Sequence, residues 1–146
     1  MTWASASEER EGYDGYPRGE LMGKSVMVVD DCATTRRLVS LYLKQEGYNL
    51  ILAENGLEAL EKLAQGPVDL IVTDMNMPQM DGISFIRAVK GTTLLKAIPI
   101  LMLTTERAEQ ERSNGLEAGA SAYLTKPVSQ ERLAREVRRL LVGFHR

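Results

Sequence analysis

An apolar run ends in an acid, and a turn-rich segment follows, within Ile71-Val72-Thr73-Asp74-Met75-Asn76-Met77-Pro78-Gln79-Met80-Asp81-Gly82. Asp74 is therefore expected where a buried strand emerges at its carboxyl end, which is where open α/β sheets bind their ligands. A second acidic pair, Asp30 and Asp31, ends another apolar run at residues 26–29. Carboxylates at the ends of neighbouring strands repel one another unless a cation lies among them. The sequence thus predicts a small hard metal ion beside one reactive aspartate.

Short apolar or β-branched runs alternate with helical patterns from residue 24 onward. Strands are predicted at residues 25–29, 49–53, 70–73, 98–103 and 122–124, and helices at residues 35–45, 57–64, 82–89, 108–118 and 130–142. This alternation predicts βαβ units and a parallel sheet that is covered on both faces. Because such crossovers are right-handed, the carboxyl ends of all strands lie at one edge. The polar side chains expected to converge there are Asp30, Asp31, Asp74, Thr104 and Lys126.

Apolar spacing predicts which face of each helix is buried. Asp81 and Ser129 are placed to cap the amino ends of the third and fifth helices. The side chains predicted to face the core are Leu38, Leu41 and Tyr42 in the first helix, Leu57, Leu60, Leu63 and Ala64 in the second, and Leu133, Val137, Leu140 and Leu141 in the last.

Length and composition are those of one globular domain. The chain has 146 residues, of which 44% are hydrophobic and 26% are charged, and its net charge of −2 provides no basic surface for direct contact with nucleic acid. A single cysteine, Cys32, excludes an internal disulfide. No apolar run approaches the roughly 20 residues of a membrane span, and a signal peptide is not evident. A cytoplasmic protein without membrane insertion is expected.

Three segments are expected along the chain. Residues 1–22 are rich in polar residues and glycine and lack apolar periodicity, which predicts a flexible amino-terminal tail. Residues 23–143 are expected to form the folded domain, and residues 144–146 a short carboxyl-terminal tail. An output domain after the last predicted helix is not expected, which argues against a direct transcription factor.

The acidic residues match the oxygen ligands that magnesium prefers in octahedral coordination with several waters. Asp31 and Asp74 are the expected side-chain ligands, and Asp30 is expected to contribute through water. The backbone carbonyl of Asn76 is placed to complete the set. The predicted cofactor is therefore Mg²⁺.

A nucleophilic carboxylate beside such an ion predicts phosphoryl chemistry. Asp74 is expected to attack phosphorus and form an acyl phosphate, as aspartates do in ATPase-type intermediates. Lys126 offers a positive charge for the same phosphoryl group, and the Thr104 hydroxyl is able to donate to one of its oxygens. That hydrogen bond is expected to draw the chain after the fourth strand toward the site.

Four segments of the sequence resemble the receiver domain of two-component response regulators. The resemblance covers about residues 24–142, and the motifs are specific when they are taken together. They are Val28-Val29-Asp30-Asp31, the run from Asp74 to Gly82, Leu103-Thr104-Thr105-Glu106, and the run from Ala118 to Lys126-Pro127.

The resemblance implies a flavodoxin-like (βα)5 fold, a three-layer α/β sandwich with a five-stranded parallel sheet in the order 2-1-3-4-5. It implies transfer of a phosphoryl group from a phosphohistidine of a sensor histidine kinase to Asp74, with Mg²⁺ required. It further implies a cis Lys126–Pro127 bond and no enzymatic activity beyond the domain's own phosphorylation and dephosphorylation.

Within the family, the chain is most similar to the single-domain chemotaxis type, as the pair Arg36-Arg37 after the acidic residues indicates. In that subfamily Asn76 and Glu106 occupy positions that tune hydrolysis of the acyl phosphate, and Tyr123 occupies the aromatic switch position. Departures from its usual residues are Met75, Thr105 and Val128, which stand where tryptophan, alanine and phenylalanine are common.

The similarity implies a phosphorylation-dependent change of the face formed by helix four, strand five and helix five. In this scheme Thr104 moves inward, Tyr123 follows into the vacated space, and a downstream protein, with the flagellar motor switch as first choice, binds the altered face. A monomer or weak dimer is expected.

Other functions and simpler residue roles stay open at this stage. Within the family, the alternatives are a phosphorelay intermediate and a single-domain regulator of a kinase. A haloacid-dehalogenase-type phosphatase also uses an aspartyl nucleophile, but it needs a second acid where this chain has Asn76. Glu106 fits equally well as an acid at a helix start, and Tyr123 as an ordinary strand aromatic. The simpler interpretation of Lys126 is a solvated lysine.

Overall fold

The computed structural model describes residues 19–77, 79–105 and 109–143. After a 3₁₀ turn at Gly19–Leu21, strands and α-helices alternate along the described chain. The strands are β1 Ser25–Val29, β2 Asn49–Ala53, β3 Leu70–Asp74, β4 Ile100–Thr104 and β5 Ala122–Thr125. The helices are α1 Ala33–Lys44, α2 Gly56–Leu63, α3 Gly82–Lys90, α4 Glu109–Ala118 and α5 Gln130–Val142.

The five strands form one parallel sheet in the order β2-β1-β3-β4-β5. This order confirms the flavodoxin-like α/β fold that the sequence predicted. β1 and β3 are neighbours although a strand and two helices separate them in the chain, so the order of the strands changes direction between them. Ligands of open α/β sheets bind at such a point, beyond the carboxyl ends of the strands.

Two apolar clusters fill the space between the sheet and its helical layers. Because side chains alternate along a strand, Val26 and Val28 face one cluster whereas Met27 and Val29 face the other. The first cluster includes Val39 and Leu43 of α1 and Leu133, Val137 and Leu140 of α5. The second includes Ala59 and Leu63 of α2 and Phe85, Ile86 and Val89 of α3.

Polar caps fix the amino ends of three helices. The side chains of Asn55, Asp81 and Ser129 accept hydrogen bonds from backbone N–H groups in the first turns of α2, α3 and α5. The structure thereby confirms the caps predicted at Asp81 and Ser129. Each cap satisfies an N–H group that has no partner within its helix.

The buried face of α1 differs from the predicted one. Leu38 and Leu41 are 43% and 52% exposed, whereas Val39 and Leu43 are buried. This part of the prediction was wrong because apolar side chains surround the middle of α1, so spacing alone did not select one face. The contacts of α1 with the sheet and α5 selected it.

The buried face of α2 was also predicted only in part. Leu63 is buried and Leu60 is half-buried, but Leu57 and Ala64 are exposed. Ala59 is buried instead, between Gly56 and Leu63 on the side that meets the sheet. A small alanine gives a weak apolar signal in the sequence, although it allows the helix to approach the strands closely.

The element boundaries agree with the predicted ones to within about two residues, as is usual at the ends of helices and strands. β4 begins at Ile100 rather than at residue 98, where Ile98 donates to the Leu95 carbonyl in a turn at 3.0 Å. Leu21 is buried in the first apolar cluster, so packed chain begins before the residue 23 expected for the domain. Residues 1–18 of the predicted tail and residues 144–146 lie outside the described residues.

No helix within the described part of the chain is both long enough and apolar enough to cross a membrane.

Candidate phosphoacceptor and metal site

Asp74 is the last residue of the central strand β3, and the chain turns back on itself directly after it. Gly82 donates its N–H to the carbonyl of Met75 at 2.9 Å. A Cβ atom at residue 82 would lie 2.7 Å from the Met75 Cα and 2.8 Å from the Asp74 carbonyl oxygen. Only glycine fits this close approach. The loop that follows Asp74 is thereby held against the end of the strand.

Three carboxylates meet beyond the ends of β1 and β3. Asp30, Asp31 and Asp74 each offer an oxygen, and these oxygens lie within 4.8 Å of one another. Asp30 and Asp74 are buried, whereas Asp31 is exposed. The structure therefore brings together the acidic residues that the sequence placed at this edge, with one side of the cluster open to solvent.

Lys126 approaches the acidic cluster from the end of β5. Its Nζ lies 2.8 Å from Asp74 Oδ1 and 3.7 Å from Asp30 Oδ2. Its backbone N–H donates to the Thr104 carbonyl at 2.7 Å, which ties the lysine to the end of β4. The Lys126–Pro127 bond is cis, as the sequence resemblance implied.

Burial and like charge perturb this cluster. Burial raises the pKa of Asp30, and the carboxylates of Asp74 and Asp31 raise it further, although the N–H of Cys32 and the charge of Lys126 oppose them. Burial alone would lower the pKa of Lys126, but the hydrogen bond and charge of Asp74, with the charge of Asp30, raise it overall. Among the described residues, Lys126 thus contacts two of the three acids, and its single charge does not balance theirs.

The donor set fits a hard divalent cation. Asp30 Oδ2 is buried and has no hydrogen-bond partner among the described residues. A buried carboxylate oxygen without a donor is costly, and a cation would remove that cost. Carboxylate oxygens that are open to water on one side suit Mg²⁺, which keeps several of its waters.

Thr104 ends β4 beside the acidic cluster. The parallel register pairs Asp74 with Leu103, so Thr104 lies one residue beyond the level of Asp74. Its hydroxyl is buried and has no hydrogen-bond partner within residues 19–77, 79–105 and 109–143. An unsatisfied hydroxyl at this place is available as a donor to an anion that arrives at Asp74.

Tyr123 lies on β5, opposite Met102 of β4. Its side chain is 40% exposed, and the guanidinium carbon of Arg112 lies 5.4 Å from the centre of its ring. Asn76 lies in the loop after Asp74 and is exposed. Its role as a carbonyl ligand stays a prediction. Glu106 lies outside the described residues.

Sequence reasoning missed two arginines near this edge. Arg36 donates to the backbone carbonyl of Asp30 at 2.7 Å, and Arg112 donates to the backbone carbonyl of Thr105 at 3.1 Å. In the sequence, Arg36 stands out only as a subfamily feature, and no pattern points to Arg112. Backbone carbonyls have no sequence signature, so only the folded chain reveals these contacts.

The fold and the site define a class of protein, and comparison with known families agrees with it. The family model named response regulator receiver domain matches residues 26–138 of this chain. The chain belongs to this family. Receiver domains act in two-component signalling, and their acidic site binds Mg²⁺.

Curated relatives support a receiver domain of the CheY type. Chemotaxis protein CheY1 of Helicobacter pylori (strain ATCC 700392 / 26695) is 40% identical over 108 residues, which cover 73% of this chain and 87% of CheY1. The transcriptional regulatory protein ResD of Bacillus subtilis (strain 168) is 42% identical over 116 residues, or 80% of this chain. The match spans only 47% of ResD, about half of its length.

Solved structures share the fold. The receiver domain of the sensor histidine kinase PA1611 from Pseudomonas aeruginosa PAO1 is 27% identical and gives a TM-score of 0.78. The match covers 83% of this chain and 99% of that domain, whose crystal structure has a magnesium ion coordinated in the active site cleft.

Proposed function

We propose that this chain receives a phosphoryl group on Asp74 from the phosphohistidine of a sensor histidine kinase and passes the signal to a protein partner. The observation that carries the proposal is the position of Asp74, whose carboxylate contacts Lys126 at 2.8 Å and belongs to the cluster with Asp30 and Asp31. A structural aspartate needs no such surplus of acids around it.

The transfer would form one bond and break another. An oxygen of Asp74 attacks phosphorus, the bond between phosphorus and the imidazole nitrogen breaks, and the imidazole leaves with the electron pair. Bound Mg²⁺, held by Asp31 and Asp74 with Asp30 through water and the Asn76 carbonyl, would neutralise charge on the phosphoryl oxygens. Because the carboxylate is a weak nucleophile, positioning and charge neutralisation supply most of the catalysis.

The positive charge of Lys126 serves the same anion. The lysine neutralises Asp74 in the free protein at 2.8 Å, and after transfer it donates to a phosphoryl oxygen. Thr104 donates its unsatisfied hydroxyl to another oxygen. The acyl phosphate is thus contacted from β4 and from β5, and its formation favours positions of these residues that the free protein does not favour.

The proposed readout is the face formed by α4, β5 and α5. When Thr104 moves toward the phosphoryl group, Tyr123 enters the vacated space and the surface around it changes. Glu106 and Asn76 would tune the lifetime of the acyl phosphate. The partner reads the changed face, and the domain itself acts on no other substrate.

Chemotaxis is the favoured pathway, with a flagellar motor switch protein as the partner and a cytoplasmic location. The similarity to CheY1, a chemotaxis protein that the match covers to 87%, supports this choice. A role as phosphorelay intermediate or kinase regulator is the second candidate, because the PA1611 receiver domain belongs to a sensor histidine kinase. We expect a monomer or weak dimer that does not itself bind nucleic acid.

A true hydrolase with an aspartyl nucleophile is the distant alternative. Such a phosphatase needs an acid two residues after the nucleophile to move a proton, and this chain has Asn76 there. The amide of asparagine cannot act as a general acid or base near neutral pH, so hydrolysis of an external phosphomonoester is not expected.

The direct test is the intact mass of the purified chain after incubation with Mg²⁺ and acetyl phosphate. We expect one added phosphoryl group, which disappears with a chelator and in Asp74→Asn. Asp81→Asn is a matched control in the same loop, because asparagine caps a helix as well as aspartate does, and it should gain the adduct.

The donor is tested separately. A histidine kinase with labelled phosphohistidine should transfer the label to the wild type and to Asp81→Asn but not to Asp74→Asn. If neither acetyl phosphate nor kinase labels the wild type, and beryllofluoride does not bind it, phosphotransfer at Asp74 is wrong.

A further inference from the structure

Arg112 of α4 connects two parts of the proposed switch. Its guanidinium carbon lies 5.4 Å from the centre of the Tyr123 ring, within the range of a cation–π contact. Its Nη1 donates to the backbone carbonyl of Thr105 at 3.1 Å, directly after β4. One side chain thus contacts both the exposed aromatic ring of β5 and the chain next to Thr104.

A close approach of α4 to the sheet places Arg112 there. A Cβ atom at Gly115 would lie 2.2 Å from the sulfur of Met102, so the helix packs directly on this side chain of β4, which would have to move for a larger residue. Met102 is paired with Tyr123 across the sheet. Arg112 lies one helical turn before Gly115, and this turn brings its side chain to the edge of β5.

The structure shows the contacts of Arg112 in an arrangement with Tyr123 turned outward. Tyr123 is 40% exposed on the edge strand, and the Thr104 hydroxyl has no hydrogen-bond partner among the described residues. If Thr104 moves to a phosphoryl group and Tyr123 turns inward, the ring leaves the guanidinium and the Thr105 carbonyl is displaced. Both contacts therefore stabilise the state without phosphate.

We infer that Arg112 is a positioning residue that holds Tyr123 outward and the chain at Thr105 in place, and so opposes activation of the domain. This inference rests on the proposed function, since it concerns regulation of the same switch. A contact made in only one of two states shifts their equilibrium by its own free energy. Removing Arg112 should raise the population of the activated state.

The expected shift is modest and measurable. An exposed cation–π contact corresponds to about a two- to fivefold change in the equilibrium. When the competent state is a minor one, the apparent affinity of a ligand that selects it changes by the same factor. Beryllofluoride with Mg²⁺ is such a probe, and its bound ¹⁹F NMR signal reports the half-saturating concentration. Arg112→Ala should lower this concentration about two- to fivefold.

Tyr123 variants separate this role from a general effect on α4. Tyr123→Phe keeps the ring, so Arg112→Ala should have its full effect in that background. Tyr123→Leu removes the ring, so there Arg112→Ala should lose the part of its effect that the ring contact contributes, and the part from the Thr105 contact and any other contact of Arg112 should stay. Arg112→Lys keeps the positive charge and should restore part of the wild-type behaviour. Arg135→Ala, which removes an exposed arginine on α5, should leave the half-saturating concentration unchanged.

Three outcomes would overturn the inference. In the first, the wild type binds beryllofluoride and Arg112→Ala binds it equally or more weakly. In the second, Arg112→Ala has the same effect in the Tyr123→Leu and Tyr123→Phe backgrounds, which would indicate a purely structural role. In the third, no variant binds beryllofluoride at all, and the proposed function falls with the inference. Binding by the wild type thus distinguishes failure of Arg112's role from failure of the proposed function.

Discussion

Two contacts between a buried carboxylate and a partly buried cation have the same length and different surroundings. Lys126 meets Asp74 at 2.8 Å at the carboxyl edge of the sheet, and Arg138 of α5 meets Glu46, just after α1, at 2.8 Å. In the second contact, a guanidinium and a carboxylate that are both mostly buried meet. In the first contact, Lys126 also lies 3.7 Å from Asp30, three acids lie together, and an oxygen of Asp30 has no hydrogen-bond partner among the described residues.

This difference shows how a functional site can be distinguished from a structural ion pair. The Glu46–Arg138 contact pairs one negative with one positive charge and joins α5 to the turn after α1. Among the described residues, the cluster around Asp74 holds three carboxylates and contacts one lysine, which leaves an excess of negative charge. Such an excess costs stability in the free protein and is relieved by a cation, which is why it indicates a binding site.

The substitution with the largest expected effect removes the Lys126–Asp74 contact and leaves the Glu46–Arg138 contact intact. Lys126→Ala removes the cation that contacts Asp74 and that we propose to neutralise the phosphoryl group, so we expect phosphorylation by acetyl phosphate to slow about a hundred- to thousandfold. The rate is followed by intact mass. Lys62→Ala removes a lysine that pairs with Glu58 on α2, and this control should react at the wild-type rate. A wild-type rate in Lys126→Ala would assign the lysine to structure alone.

Removing the Glu46–Arg138 contact should have the opposite result: a loss of stability with no change in phosphorylation. Arg138→Met takes the guanidinium from the buried carboxylate of Glu46, and we expect a loss of about 3 kcal/mol in the free energy of unfolding. Chemical denaturation measures this loss, and the rate of phosphorylation of the folded variant should stay unchanged. Arg135→Met on the exposed side of the same helix should lose much less stability. Equal losses of stability in Arg138→Met and Arg135→Met would contradict a structural role for the Glu46–Arg138 contact.

The smallest expected effect is a gain in stability of the metal-free protein, caused by a substitution within the acidic cluster. Asp30→Asn removes a buried charge from the acidic cluster, and we expect the metal-free protein to gain about 1 kcal/mol. The same variant should gain less stability from added Mg²⁺ than the wild type does. Asp31→Asn, at the exposed acid of the cluster, should gain less stability without metal. A destabilised Asp30→Asn would show that the cluster is not under strain from its charge.

The stability that Asp30→Asn gains over the wild type should depend on pH in a defined direction. Burial raises the pKa of Asp30, so the folded protein binds this proton more tightly than the unfolded chain does. The cost of Asp30 is therefore absent below its ordinary pKa of 3.8 and grows as the pH rises from 3.8 through the raised pKa. The difference in unfolding free energy between Asp30→Asn and the wild type, measured without metal, should increase over the same interval.

Much of the fold and most of the site could be predicted from the sequence. The strand pattern predicted a parallel sheet, and Asp30, Asp74 and Lys126 meet at its carboxyl edge because right-handed crossovers direct every strand the same way. The strand order came from the resemblance, since local spacing contains no information about which strands pair. The faces of α1 and α2 were partly wrong, because apolar residues lie all around α1 and a small alanine lines α2.

The linear order of the residues is enough to predict the chemistry available to this protein: three acids, a threonine and a lysine at the ends of strands, in an order that is specific to receiver domains. The tertiary structure alone decided which atoms lack partners, which helix faces are buried and that Arg112 lies over Tyr123. The physical reason is range. Periodicity and turn chemistry act over a few residues, whereas these contacts depend on how closely whole helices pack against the sheet.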